Sequence, residues 1–128
     1  MNYGKITLVM RMKENVLIDK SIKFAARIVK LQKYLLAEKK ESVISKQIIR
    51  SGTSIGANIN EANYGNSKAD FISKLHISLK ETSESIYWLT LLDRTRLFDY
   101  SYDELLSIAE EIKRMLVASL KTAKNEPT

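Results

Sequence analysis

Turn-making residues are the scarcest feature of this chain: 128 residues carry four Gly and a single Pro, Pro127, next to the end. A β-sandwich or barrel needs a turn every ~8–12 residues, and turns rely on residues with special backbone freedom. Without them, long helices remain. With 45% hydrophobic and 28% charged residues the chain reads as one ordinary globular domain, too apolar for wholesale disorder.

Four helical segments account for most of the sequence. The first is expected from about Val16 to Lys39. At about 100° per residue, Ile18, Ile22, Ala25, Val29 and Leu36 form one apolar stripe, and Leu17, Phe24, Ile28, Leu31 and Leu35 form a second beside it. The second helix, about Ser42 to Asn63, places Ile44, Ile48, Ile55, Ile59 and Ala62 on a narrow face before Gly65 and Asn66 break it. The third runs from an N-cap at Ser67, with Asp70 in its first turn, to about Phe98. Its main face is Phe71, Ile72, Leu75, Leu79, Ile86 and Leu89. The fourth opens at Ser101, with Glu104 completing a capping box, and buries Leu105, Ala109, Ile112, Leu116 and Leu120.

Short connections make successive helices antiparallel neighbours, so the expected fold is all-α, an antiparallel up-down-up-down four-helix bundle. The bundle domain spans 15–124, followed by a polar tail at 125–128. Residues 1–14 are expected to form an N-terminal arm; Ile6–Met12 read as a partly ordered extended segment, with an extra helical turn or disorder as the alternatives.

Several chemistries find no support. Without cysteine there is no disulfide, thiol nucleophile or zinc ribbon. A di-iron bundle needs Glu-x-x-His on two helices, but the one histidine, His76, has Ser73 three residues before it. A structural imidazole at the edge of the third helix's core face is the expectation for His76. Gly52 and Gly56 lack the strand and Gly-Lys-Ser/Thr of a phosphate-binding loop. The pairs Glu81/Glu84 and Glu110/Glu111 read as solvated faces. No catalytic residue, cofactor or metal is therefore expected. No apolar run of ~18 residues suits a membrane span, and Arg11 and Lys13 interrupt any signal-peptide pattern, so the expected location is the cytoplasm.

The charge is lopsided. Ten basic against three acidic residues in positions 1–40 leave an excess of seven, whereas the other 88 residues hold 11 basic and 12 acidic ones. Lys20, Lys23, Arg27 and Lys30 recur at helical spacing opposite the first helix's apolar arc, a candidate nucleic-acid-binding stripe. Solubility alone is the plainer reading. Tyr34 lies along the same side and is suited either to base stacking or to packing.

Two further features stand out. On the second helix, Gln47, Ser51, Ser54 and Asn58 form a polar seam beside the isoleucines, with Gly52 and Gly56 among them. Each helical glycine costs about 1 kcal/mol relative to alanine, so tight packing against another helix is expected there. On the third helix, Ile77, Trp88, Leu91 and Leu92 project away from the main face. Exposed apolar patches with an aromatic anchor usually mark interfaces, which favours self-association; burial of Trp88 under the N-terminal arm is the alternative.

The run Gln47-Ile-Ile-Arg50-Ser51-Gly52-Thr53-Ser54-Ile55-Gly56-Ala57-Asn58-Ile59-Asn60-Glu61-Ala62 resembles the signature of the bacterial four helix bundle protein family, also called the 23S rRNA intervening-sequence protein family. Ser67-Lys68-Ala69-Asp70-Phe71-Ile72-Ser73-Lys74-Leu75, then Glu81, Glu84 and Trp88-Leu89, resemble its next helix. The similarity covers about residues 18–120 and leaves out Met1–Lys13. It implies a four-helix subunit assembling into a ring-like homopentamer, with some members encoded inside insertions in 23S rRNA genes. A similar bundle is the accessory protein of diversity-generating retroelements, which implies nucleic acid and a reverse transcriptase as possible partners. No catalytic activity is implied.

Together these readings lead to the expectation of a non-catalytic, oligomeric bundle that binds RNA or DNA backbone through repeated basic stripes. The competing expectation is a protein–protein adaptor that docks on an acidic or ribonucleoprotein partner without touching nucleic acid.

Overall fold

The computed structural model describes residues 8–125, with side chains from Met12 onward. Its helices are α1 (Leu8–Ala37), α2 (Val43–Asn63), α3 (Lys68–Thr95) and α4 (Asp103–Asn125). Each packs on its chain neighbour and α4 closes back on α1, giving an all-α four-helix bundle with no strand among the described residues. The expected positions 1–7 of the arm and 126–128 of the tail lie outside those residues.

Each turn has a local cause. α1 ends where Lys40 takes a left-handed conformation (φ 56°), allowing the Glu41 N–H to bond back to the Leu35 carbonyl at 2.8 Å. The Glu41 carboxylate then accepts from the N–H groups of Val43, Ile44 and Ser45, satisfying the first turn of α2 and placing negative charge at its positive end. At the next junction the Gly65 N–H donates to Ala62, and the Ser67 hydroxyl accepts from Asp70 N–H to cap α3. Arg96, also left-handed (φ 51°), terminates α3.

The core is built from one line of each helix. Leu17, Phe24, Ile28, Leu31 and Leu35 of α1 meet Ile48, Ile55 and Ile59 of α2, Phe71, Leu75 and Leu89 of α3, and Leu105, Ala109, Ile112 and Leu116 of α4. Fully burying such side chains contributes about 1.5–3 kcal/mol each.

Three local expectations are corrected. α1 begins at Leu8, so Leu8–Met12 are helical instead of extended. No Gly or Pro lies between Gly4 and Gly52, and extending a helix already anchored by packing adds one hydrogen bond per residue. The Ser101–Glu104 capping box is replaced: α4 starts at Asp103, and the Glu104 carboxylate accepts from Arg27 across the helix pair. The buried line of α3 runs Phe71, Leu75, Ser78, Thr82, Ser85, Leu89 and Leu92, which leaves Ile72, Leu79 and Ile86 only partly buried beside it.

Candidate nucleic-acid interface

The outer edge of α1 carries the basic stripe, and its members differ in how free they are. Lys20 Nζ lies 2.6 Å from Glu111, and Arg27 Nη1 lies 2.5 Å from Glu104, so both tie α1 to α4. The Arg27 guanidinium holds Glu104 below the usual carboxylate range, and Lys20 does the same to Glu111. Lys23 makes an i,i+4 pair with Asp19 at 3.1 Å with both side chains well exposed, while Lys30 is exposed and makes no ion pair among the described residues. Exposed pairs of this kind are worth about 0.2–1 kcal/mol, so a phosphate can exchange with the carboxylate at little cost. Lys30 is available outright; Lys23, Lys20 and Arg27 are available by exchange.

Beside this stripe the wide apolar arc of α1 divides. Its inner half, from Leu17 to Leu35, forms the core, but Ile22 remains 60% exposed and Val29 and Leu36 each 39%. The arc continues onto α2, where Val43 is 73% exposed and, with Leu36 and Ile49, lines a cleft of about 510 Å³. A single bundle has no partner for these side chains, and together they form a surplus of exposed apolar surface.

The interface expected on α3 is smaller. Leu92 is 1% exposed and belongs to the core, which corrects its assignment to an oligomer contact: it follows Leu89 by three residues and Ser85 by seven, on the buried line. Leu91 is half-buried, Ile77 is exposed, and Trp88 is half-buried with its indole N–H donating to Glu84 at 3.1 Å. Tyr87, its exposed neighbour, meets the indole edge-on with ring centres 5.0 Å apart. His76 is solvent-exposed and not the packed imidazole expected.

The polar seam of α2 is a helix-packing device. Ser51 is buried with its hydroxyl 2.9 Å from that of Ser85, and the Ser78 hydroxyl donates to the Ile55 carbonyl, also at 2.9 Å. Ser54 and Asn58 return their donors to carbonyls one turn earlier, those of Arg50 and Ser54, and Gln47 is half-buried alongside. Glu61 is exposed and pairs with Lys74 at 3.6 Å. On the opposite edge, Gly52 and Gly56 let α2 approach α1 so closely that an added Cβ would meet Ile28 at 2.9 Å or the Ser21 hydroxyl at 2.8 Å.

Arg50 gives the seam its electrostatic centre. Its guanidinium donates to Glu81 at 3.0 Å and to Glu84, which in turn accepts from Trp88. Glu81 is 9% exposed, so the reading of Glu81 and Glu84 as a solvated face is corrected: they are the acidic half of a clamp. The contact with Arg50 lowers Glu84 and raises Arg50 relative to their ordinary values. Their spacing of three on a helix, opposite an arginine in the same polar seam, was the one signal available in the sequence. Among the described residues no group of three or more acidic or histidine side chains is placed to hold a metal ion.

The geometry defines an all-helical bundle whose distinctive polar residues lock α2 to α3 and whose spare surface, basic and apolar, lies along α1. Residues 13–118 match the model of the 23S rRNA-intervening sequence protein family, and the chain belongs to that family. It is also similar to a solved protein of unknown function from Bacteroides thetaiotaomicron, of the S23 ribosomal protein family: 53% identity, TM-score 0.82, covering 85% of this chain and 98% of that one. No curated protein matches the chain. No helix among the described residues is long and apolar enough to cross a membrane.

Proposed function

We propose that the protein is a non-catalytic cytoplasmic assembly module: copies associate through the spare apolar surface of α1, with Trp88 and Ile77 as a second edge, and the assembly binds RNA or DNA backbone. The observation that carries this reading is the adjacency on one helix of an unpartnered apolar stripe, Ile22, Val29 and Leu36, and a basic edge, Lys23 and Lys30. Burying the first in a contact between copies repeats the second around the assembly. Multivalency then converts weak phosphate contacts into useful affinity. A homopentamer is the assembly that the family resemblance favours, and a reverse transcriptase is one protein that such a complex could serve.

The test is binding of RNA and DNA, single-stranded and duplex, over a salt series, with Lys20, Lys23, Arg27 and Lys30 changed to Glu as the control. Binding that weakens with salt and is lost on charge reversal supports the reading. Absence of binding near physiological salt, or indifference to the reversal, removes it. The exposed cleft at Leu36, Val43 and Ile49 favours a second reading, an adaptor that docks a protein partner; nucleic-acid-independent capture of an acidic protein, blocked by Val43→Glu, would support that instead.

A further inference from the structure

We infer that the assembly prefers single-stranded to duplex nucleic acid, because the basic edge of α1 ends on a tyrosine platform able to stack an unpaired base. This rests on the proposed binding of nucleic-acid backbone and specifies which form is bound. Lys23, Arg27, Lys30 and Tyr34 follow one another at intervals of three or four residues, which places them along one edge at about one turn apart. The Tyr34 ring, half-buried, lies 5.4 Å from that of Tyr100 at a 32° tilt, and Tyr100 lies 4.8 Å from Tyr102. The three rings descend from the half-buried Tyr34 and Tyr100 into the core, where Tyr102 is 1% exposed. Lys39 Nζ sits over the Tyr34 ring, 5.8 Å from its centre.

This arrangement has the two parts that single-strand binding needs, a cationic track for the phosphates and an aromatic face for a base. A base arriving on Tyr34 displaces the Lys39 ammonium, which is then free to pair with the adjoining phosphate. Duplex bases already have both faces stacked and cannot use the platform, so a duplex engages the basic edge alone. Stacking tolerates every base, so the preference is for strandedness and not for sequence.

The experiment compares oligouridylate with an RNA duplex of matched length at one moderate salt concentration, for the wild-type protein, Tyr34→Leu, Tyr34→Phe and Lys30→Glu. The wild type is expected to bind the single strand more tightly. Tyr34→Leu is expected to weaken only the single strand, by roughly 5- to 150-fold, the range of base–aromatic stacking. Tyr34→Phe is expected to retain the preference, and Lys30→Glu to weaken both ligands. Equal affinity for the two ligands, or a Tyr34→Leu effect that is absent or identical on both, overturns the platform while leaving backbone binding in place. Failure of the wild type to bind either ligand removes both proposals together.

Discussion

Arg50 on α2 reaches Glu81 on α3 at 3.0 Å, and with its other terminal nitrogen it holds Glu84 one turn further along. The pair is unequal, since the Arg50 side chain is 50% exposed and that of Glu81 only 11%. Removing the arginine therefore strands a buried carboxylate. Arg50→Met is expected to cost about 1–3 kcal/mol of stability. Arg50→Lys should cost less, because it keeps the charge but loses the fork that serves two acids. Adding Glu81→Gln to Arg50→Met should recover part of the loss, a coupling that denaturant unfolding of all the variants measures.

The two glycines of α2 make different predictions for one substitution. Alanine gains about 1 kcal/mol over glycine in a helix interior. At position 52 the new methyl would press on Ile28, branched at Cβ and fully buried, so an overpacking cost of about 1–3 kcal/mol outweighs that gain. At position 56 the tight contact is the Ser21 hydroxyl, which can rotate away from its bond to Ile18, leaving the Ser21 Cβ at 3.3 Å as a milder contact that offsets the helix gain. Thermal unfolding should show Gly52→Ala destabilised and Gly56→Ala close to the wild type.

Glu14 introduces a pH dependence. It is 3% exposed, one carboxylate oxygen has no hydrogen-bond partner among the described residues, and burial pushes its pKa up, an effect that Ser119 offsets only in part. A folded-state pKa above the unfolded value means the penalty is absent below about pH 4.5 and grows as pH rises through the folded pKa. Glu14→Gln is thus expected to be more stable than the wild type at neutral pH, with the difference vanishing in acid. Glu84, lowered by Arg50, acts in the other direction: its contribution holds above the unfolded value and is lost on acidification. Equilibrium unfolding of wild type and Glu14→Gln at several pH values separates the two.

What could be read from the sequence, and what could not, divides along the line between local and long-range causes. The segmentation into four helices, the Ser67 cap and the isoleucine face of α2 follow from neighbours in sequence, and the structure has them. Apolar periodicity misses the phase of α3 because Ser78, Thr82 and Ser85, polar by composition, occupy its buried line; Thr82 and Ser85 satisfy their hydroxyls on carbonyls one turn back. The same polar line carries Leu92 into the core, where apolar periodicity places it on the outer face. Glu104 matches a capping box in sequence, yet its partner Arg27 lies 77 residues away. At the candidate interface, periodicity finds the basic edge of α1 but cannot say which half of a wide apolar arc the core will take.

That division of the arc makes assembly testable by itself. Ile22→Glu with Val29→Glu places charge on exposed positions outside the core, so folding should be retained while association is lost. Sedimentation velocity should show the wild type as a discrete species larger than the 14.6 kDa chain and the variant as a monomer.

The most direct test of a basic edge multiplied by assembly is the slope of log Kd against log salt for RNA binding, measured for the wild type and for the Ile22→Glu/Val29→Glu variant. Each phosphate neutralised adds about 0.7 to the magnitude of that slope on a single strand. A steep slope for the wild type, falling to that of one or two phosphate contacts in the monomeric variant, is the predicted result. A wild-type slope near zero, or one unchanged when the assembly is broken, would contradict it.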